Sequence, residues 1–142
     1  MTKRTSSVLQ KNLVAAARKA MQGAHAPYSR FRVGAALLTN SGKIISGCNI
    51  EISSYSLTIC AERTAIFKAV SEGERGFKAI AIISDAKSFI SPCGACRQVI
   101  SDLLGDVEVL MADSQGRTIS LRSGELLPVP FDDSVLKKTA RK

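Results

Sequence analysis

From Ser7 onward, apolar residues recur at helical spacing: Val8, Leu9, Leu13, Ala16, Ala17, Ala20 and Met21, with polar and basic residues between them. Steps of three and four put these positions on one face of an α-helix, and Ser7-Val8-Leu9-Gln10 has the form of a capping box that opens it. Gly23 and Pro27 end the run. The period then shortens. Val33 to Thr39 reads as a buried strand, Asn40-Ser41-Gly42 as turn chemistry, and Ile44 to Cys48 as the returning hairpin partner. Asn49 to Thr58 is polar and irregular, the composition of a loop that carries function. A second helix is predicted from about Cys60 to Glu72, stopped by Gly73 and Gly76. Lys78 to Ser84 is nearly all apolar, as a central strand covered on both faces should be. Gly94 to Leu104 predicts a third helix, ended by Gly105. Val107 to Ala112 and Thr118 to Leu121 are the last strands, separated by Asp113-Ser114-Gln115-Gly116. The order α-β-β-α-β-α-β-β implies a single α/β domain over residues 1–142, a three-layer α/β/α sandwich around a five-stranded mixed sheet.

Length and charge refine this. A chain of 142 residues with 45% hydrophobic residues can bury one real core. The net charge of +8 suggests nucleic acid at first sight, but its distribution argues otherwise. Lys3, Arg4, Lys137, Lys138, Arg141 and Lys142 lie in terminal segments without acids, and the remaining 14 bases face 12 acids. Segment 134–142 therefore reads as a mobile, solvated basic tail, and no specific nucleic-acid partner is expected. Residues 1–50 hold eight bases and no acid, as organelle transit peptides do. Strand-like sequence follows that helix within a few residues, which assigns it to the fold instead. No apolar run approaches the ~20 residues of a membrane span. The first apolar residues are interleaved with Lys11, Asn12 and Arg18, unlike a secretory signal. The expectation is a cytoplasmic protein with no membrane partner.

Four cysteines in such a chain point to metal binding or catalysis rather than disulfides. Cys60-Ala61-Glu62 is followed 30 residues later by Pro92-Cys93-Gly94-Ala95-Cys96. Three thiolates can hold one zinc ion and leave a fourth position open for water, the arrangement of catalytic rather than structural sites. The pairing also matches the three-cysteine version of the zinc deaminase signature, in which a glutamate moves protons. Cys93-Gly94-Ala95-Cys96 alone would suit thioredoxin-like redox chemistry, but a dithiol site has no use for a third thiol and a glutamate. Cys48 lies twelve residues from Cys60, outside zinc-ribbon spacing, and reads as a small core residue ending a strand. Placing Cys60 and Cys93/Cys96 at the starts of two helices on one sheet face would aim both N-termini at a common spot, where thiolates are favoured.

Beyond the metal motif, the chain resembles the cytidine deaminase family, specifically its small, homotetrameric, three-cysteine class. The likeness runs through Pro27-Tyr28-Ser29-Arg30-Phe31, Val33-Gly34-Ala35-Ala36-Leu37, Gly47-Cys48-Asn49-Ile50-Glu51, Leu57 to Ala65, Ser91 to Val99, and Leu126-Leu127-Pro128. It implies that Cys60, Cys93 and Cys96 bind one zinc per subunit. Glu62 is then the acid–base that moves protons from water to the pyrimidine ring and the departing amine. Arg63 offsets the excess thiolate charge. Asn49 and Glu51 bind the ribose, and Phe31 packs on the ring. The backbone of Ala61, together with Ser91, reads the base edge. Tyr55 and Phe131 complete the pocket from neighbouring subunits. The substrates implied are cytidine and deoxycytidine, converted to uridine and deoxyuridine in pyrimidine salvage.

Two stretches depart from the family pattern: Ile52-Ser53, where Asn and Ala are common, and Phe131-Asp132-Asp133, where Phe-Gly-Pro is common. Both lie near the expected sugar end and bear on substrate range. The alternatives are a deaminase of a modified or antibiotic nucleoside, as in blasticidin S deaminases, and a non-catalytic, zinc-stabilised module that binds nucleic acid.

Overall fold

The computed structural model describes residues 4–136, so Lys3 and residues 137–142 of the expected basic tail lie outside the described residues. Helix α1 spans Ser7–Met21. Its cap is Ser6, one residue before the expected Ser7: Ser6 Oγ accepts from Leu9 N at 3.3 Å. The box does not form, because with Ser6 as cap Leu9 stands at the third helical position; the Gln10 side chain donates to Glu108 Oε2 at 3.1 Å. Strand β1 (Val33–Thr39) then runs along the sheet and β2 (Ile44–Cys48) returns beside it. Gly42, with φ +93°, makes the turn.

Helix α2 (Ala61–Ser71) buries Ala61, Glu62, Ala65, Ile66 and Ala69 on one stripe. It ends in a Schellman motif: Gly73 N reaches Val70 O at 3.0 Å, and Glu74 N reaches Ala69 O at 3.0 Å. Gly73 has φ +96°, a left-handed conformation that glycine adopts without a Cβ penalty. Strand β3 spans Phe77–Ser84. Helix α3 covers only Gly94–Val99 and continues as a π-helical turn, Ile100–Leu104, where a uniform helix is expected. Strands β4 (Glu108–Ala112) and β5 (Thr118–Arg122) follow. A short helix α4 (Ser123–Leu126) comes next, unforeseen because four residues carry no periodicity, and residues 134–136, read from sequence as the start of a mobile tail, are helical too.

The five strands order as β2-β1-β3-β4-β5. Only β3 and β4 pair in parallel; β1 is antiparallel to both β2 and β3. Strands β2, β3 and β4 therefore point the same way, and α2 and α3 both begin beyond the carboxyl ends of strands at one edge. Alternation along the strands divides the core. Val33, Ala35, Leu37, Ile80, Ile82, Val109 and Met111 face α2 and α3. Ala36, Leu38, Ala79, Ala81, Ile83, Leu110 and Ala112 face α1. These are the three layers of the expected sandwich. Each fully buried isoleucine, such as Ile80 and Ile82, contributes about 1.5–3 kcal/mol.

Two glycines set how closely the layers approach. A Cβ on Gly34 would lie 1.9 Å from Ala17 O of α1, and one on Gly47 would lie 2.6 Å from Ala65 N of α2. Beyond β2, Ile50 and Ile59 exchange backbone hydrogen bonds of 3.0 Å in both directions. This bridge pins the base of the loop 51–58, one residue before Cys60.

Candidate active site

Cys60 is the N-cap residue of α2, and Cys93 is that of α3. Both are extended, at ψ 155° and 167°, so each strand-like approach delivers its thiol at the edge where the helices start. Cys96, one turn into α3, is buried, Cys60 half-buried and Cys93 exposed. The three sulfurs lie within 4.8 Å of one another, with Cys60 Sγ and Cys93 Sγ 3.9 Å apart. Sulfurs on a tetrahedral zinc with bonds of ~2.3 Å stand about 3.8 Å apart, so the donor set fits one zinc ion. Cys48 ends β2, half-buried as a strand residue, and is not in this group.

Arg63 Nη2 donates to Cys60 Sγ at 3.3 Å. The Cys60 thiol is pulled down to about 5 by a hydrogen bond from Cys96 and then by Arg63, against the effect of burial. Cys96 is correspondingly pushed up by its bond to Cys60 and by burial. Two residues on from Cys60, in the first turn of α2, Glu62 is 5% exposed. Burial, reinforced by the nearby Cys60 charge, pushes its carboxyl up to about 7. A carboxyl poised near neutrality can both accept and return a proton.

A cavity of about 270 Å³ opens above these groups, lined by Phe31, Asn49, Glu51, Tyr55, Cys60, Ala61, Glu62, Ser91 and Cys93 among others. Every expected substrate-side residue except Phe131 therefore shares one pocket within one chain. Tyr55, expected to act from a neighbouring subunit, lines the pocket of its own chain and packs edge-on against Tyr28, ring centroids 6.2 Å apart. Phe131 instead borders a separate groove with Gln98, Val99 and Leu103.

The polar pair is already engaged. Asn49 Oδ1 accepts from Val33 N at 2.9 Å and Nδ2 donates to Phe31 O at 2.8 Å. Glu51 Oε1 accepts from Tyr28 N at 2.9 Å and Ser29 N at 3.1 Å, and the Ser29 hydroxyl donates to Oε2. The Ser29 hydroxyl, helped by these N–H groups, holds the Glu51 carboxyl below its ordinary value despite burial.

Sequence reasoning missed three contributors. Ser29 lines the cavity. Arg97 ties the ligand loop to the end of α4: Nε donates to Pro92 O at 2.8 Å, Nη1 to Leu126 O at 3.0 Å, and Nη2 to the Ser91 hydroxyl. Gln98 Nε2 donates to Phe131 O at 2.8 Å. A basic residue one position after a metal ligand was the only available signal, and it does not reveal which carbonyls the guanidinium reaches.

Comparison with known proteins agrees with this geometry. Residues 7–112 match the family model described as the cytidine and deoxycytidylate deaminase zinc-binding region. The cytidine deaminase of Sporosarcina psychrophila is 49% identical over 129 residues, 90% of this chain and 95% of that protein. A crystal structure of cytidine deaminase from Burkholderia pseudomallei superposes with a TM-score of 0.83 at 45% identity, covering 89% of this chain and all of that one. The blasticidin-S deaminase of Bacillus cereus is more distant, 36% identical over 111 residues, 72% of this chain and 79% of that protein. A family match that takes in α1 through β4, together with relatives aligned over nearly their whole length, establishes that the chain belongs to the cytidine and deoxycytidylate deaminase family.

Proposed function

We propose that this protein catalyses the zinc-dependent hydrolytic deamination of cytidine and deoxycytidine to uridine and deoxyuridine, with release of ammonia, in pyrimidine salvage. The observation that carries this reading is the buried Glu62 carboxyl beside three clustered thiols, in the same cavity as Phe31, Asn49 and Glu51. Cys60, Cys93 and Cys96 hold the zinc, one per subunit, which when bound supplies the Lewis acidity that makes water nucleophilic near neutral pH. Glu62 takes one proton from the attacking water and delivers it to the ring nitrogen. It then carries the second to the exocyclic amine, which leaves as ammonia while the water oxygen becomes the carbonyl. The pressure that burial places on its carboxyl suits both directions of transfer.

Three thiolates bring −3 to a +2 ion, and Arg63, donating to Cys60 Sγ, offsets the excess. Phe31 offers its face to the pyrimidine. The Ala61 backbone and Ser91 meet the base edge. Asn49 and Glu51 present preorganised polar groups to the sugar. Tyr55, which lines that end of its own chain's cavity, also completes the pocket of a neighbouring subunit. Phe131, 64% exposed, reaches a neighbouring copy's pocket in a homotetramer. No helix among the described residues is long and apolar enough to cross a membrane; the setting belonging to this proposal is cytoplasmic. The whole chain, 1–142, acts as one domain.

The decisive assay incubates zinc-loaded protein with cytidine and with deoxycytidine and follows the ultraviolet change, with Glu62→Gln as control. Turnover by the wild type and not by the variant is expected. A zinc-loaded wild type inactive on both nucleosides overturns the assignment. In that event blasticidin S turnover, or salt-sensitive RNA binding, identifies the alternative.

A further inference from the structure

The loop between Pro27 and Phe31 is held in an unusual shape. Arg30 has φ +59°, the left-handed region that a residue with a side chain enters at a cost. Arg30 N closes a turn onto Ala26 O at 3.0 Å. This reversal brings Ser29 Oγ between two groups of the proposed pocket: it donates to Glu51 Oε2 and accepts from Phe31 N at 3.0 Å. Phe31 is therefore fixed from both sides, its N–H by Ser29 and its carbonyl by Asn49 Nδ2 at 2.8 Å.

The carboxylate can be counted in the same way. An ionised glutamate offers about four acceptor positions. Tyr28 N and Ser29 N fill those on Oε1, and the Ser29 hydroxyl takes one on Oε2. Among the described residues the last is met only by the Tyr55 hydroxyl at 3.5 Å, a long contact from a residue that is 55% exposed. Glu51 and Tyr55 both line the cavity, so an incoming hydroxyl can take that position.

We infer that Ser29 is a positioning residue that couples the two ends of the pocket: through one hydroxyl it fixes the carboxylate that receives a sugar hydroxyl and the backbone of the ring that receives the base. The inference rests on the nucleoside reading above. The bond network has a direction. A donor arriving at the open position of Oε2 meets a carboxylate that cannot rotate away without breaking the Ser29 bond, and the same hydroxyl oxygen accepts from Phe31 N.

The test is a substrate cycle with wild type, Ser29→Ala and Ser29→Thr, using cytidine and 2′,3′-dideoxycytidine, which lacks both sugar hydroxyls on that edge. KM is read for each, or Ki against cytidine where turnover is slow. Loss of a hydrogen bond to a charged group predicts that Ser29→Ala raises the cytidine KM about tenfold. The dideoxy compound should be affected several-fold less, kcat should stay within about threefold, zinc content and thermal midpoint should be unchanged, and Ser29→Thr should restore the cytidine KM. Equal effects on both ligands, or a fall in kcat that tracks zinc loss or melting, overturn the coupling. A wild type inactive on cytidine overturns the nucleoside reading and the inference with it, whereas an active wild type with an unmoved KM ratio overturns the inference alone.

Discussion

Replacing Gly47 by alanine should damage catalysis from the far side of the catalytic helix. Gly47 lies in β2, and a Cβ there would sit 2.6 Å from Ala65 N and 3.0 Å from Thr64 Cβ, both on α2. A backbone nitrogen cannot swing aside as a lysine tip can. To reach the 3.4 Å of an ordinary contact, α2 must lift by about 0.8 Å or the sheet must bow. Ala65 is one turn from Glu62, and the same helix start is capped by Cys60. A misplacement of ~1 Å in a catalytic group costs up to about 10²-fold in rate, and overpacking a tight core costs about 1–3 kcal/mol. Gly47→Ala should therefore lower kcat by about 10- to 100-fold and the stability by that amount. Gly34→Ala provides the comparison. Its Cβ would meet Ala17 O at 1.9 Å and Met21 N at 2.6 Å, but these belong to α1 on the opposite face. It should cost more stability and leave the folded fraction's kcat nearly intact. Urea denaturation supplies stabilities, and turnover per folded, zinc-loaded molecule supplies kcat. If Gly47→Ala keeps wild-type kcat while losing stability, the idea that close approach of α2 to β2 positions Glu62 is refuted.

Other expectations are more direct. Glu62→Gln should retain zinc and fold while losing at least about 10³-fold in kcat, measured by ultraviolet absorbance; general acid–base groups contribute typically 10²–10⁴-fold. Arg63→Ala removes the donor to Cys60 Sγ and should speed zinc transfer to a colorimetric chelator about tenfold, the size of effect known for partners that bond to metal ligands; an unchanged rate removes Arg63 from the thiolate charge balance. Glu108 is buried, and burial alone would raise its carboxyl. Donors from Ser120 Oγ at 2.7 Å and Thr5 N at 2.9 Å, with the Arg122 charge, hold it below its ordinary value instead. A carboxyl lowered in the folded state stabilises the protein above the unfolded value, about 4.3, and loses that contribution as pH falls through the lowered one. Glu108→Gln should thus be less stable than wild type at pH 7, with the gap closing under acid; a gap independent of pH counts against the carboxylate's role.

The strands were legible because they are short apolar runs bounded by turn residues. Val33–Thr39 and Ile44–Cys48 fall where the pattern puts them, and the apolar run through Ala79 to Ile83 becomes the central strand. Helix ends were less so. Ser6 and Ser7 are chemically equal as caps; the helix takes Ser6, and the Gln10 side chain bonds Glu108, 98 residues away, a partner that local sequence does not reveal. The π-helical turn at Ile100–Leu104 leaves no mark in a sequence that is simply apolar and helical. In the site, residue types were read correctly but their commitments were not. Asn49 was visible as an amide facing a sugar, yet its bonds to Val33 N and Phe31 O belong to tertiary structure. Ser29 gave no signal by itself, because serine in a turn is ordinary.

The backbone bridge between Ile50 and Ile59 has a consequence for how such a chain can change. The three clustered thiols and Glu62 sit on helix starts downstream of the bridge, whereas residues 51–58 form a cassette whose two ends are locked together. Substitutions inside the cassette alter its shape without pulling on Cys60. Ile52 and Ser53, where this chain departs from its relatives' usual pattern, are exposed members of it. Substrate range can therefore drift by ordinary surface substitution while the chemistry stays insulated, and a library confined to positions 52–57 samples new sugars at little risk to the metal.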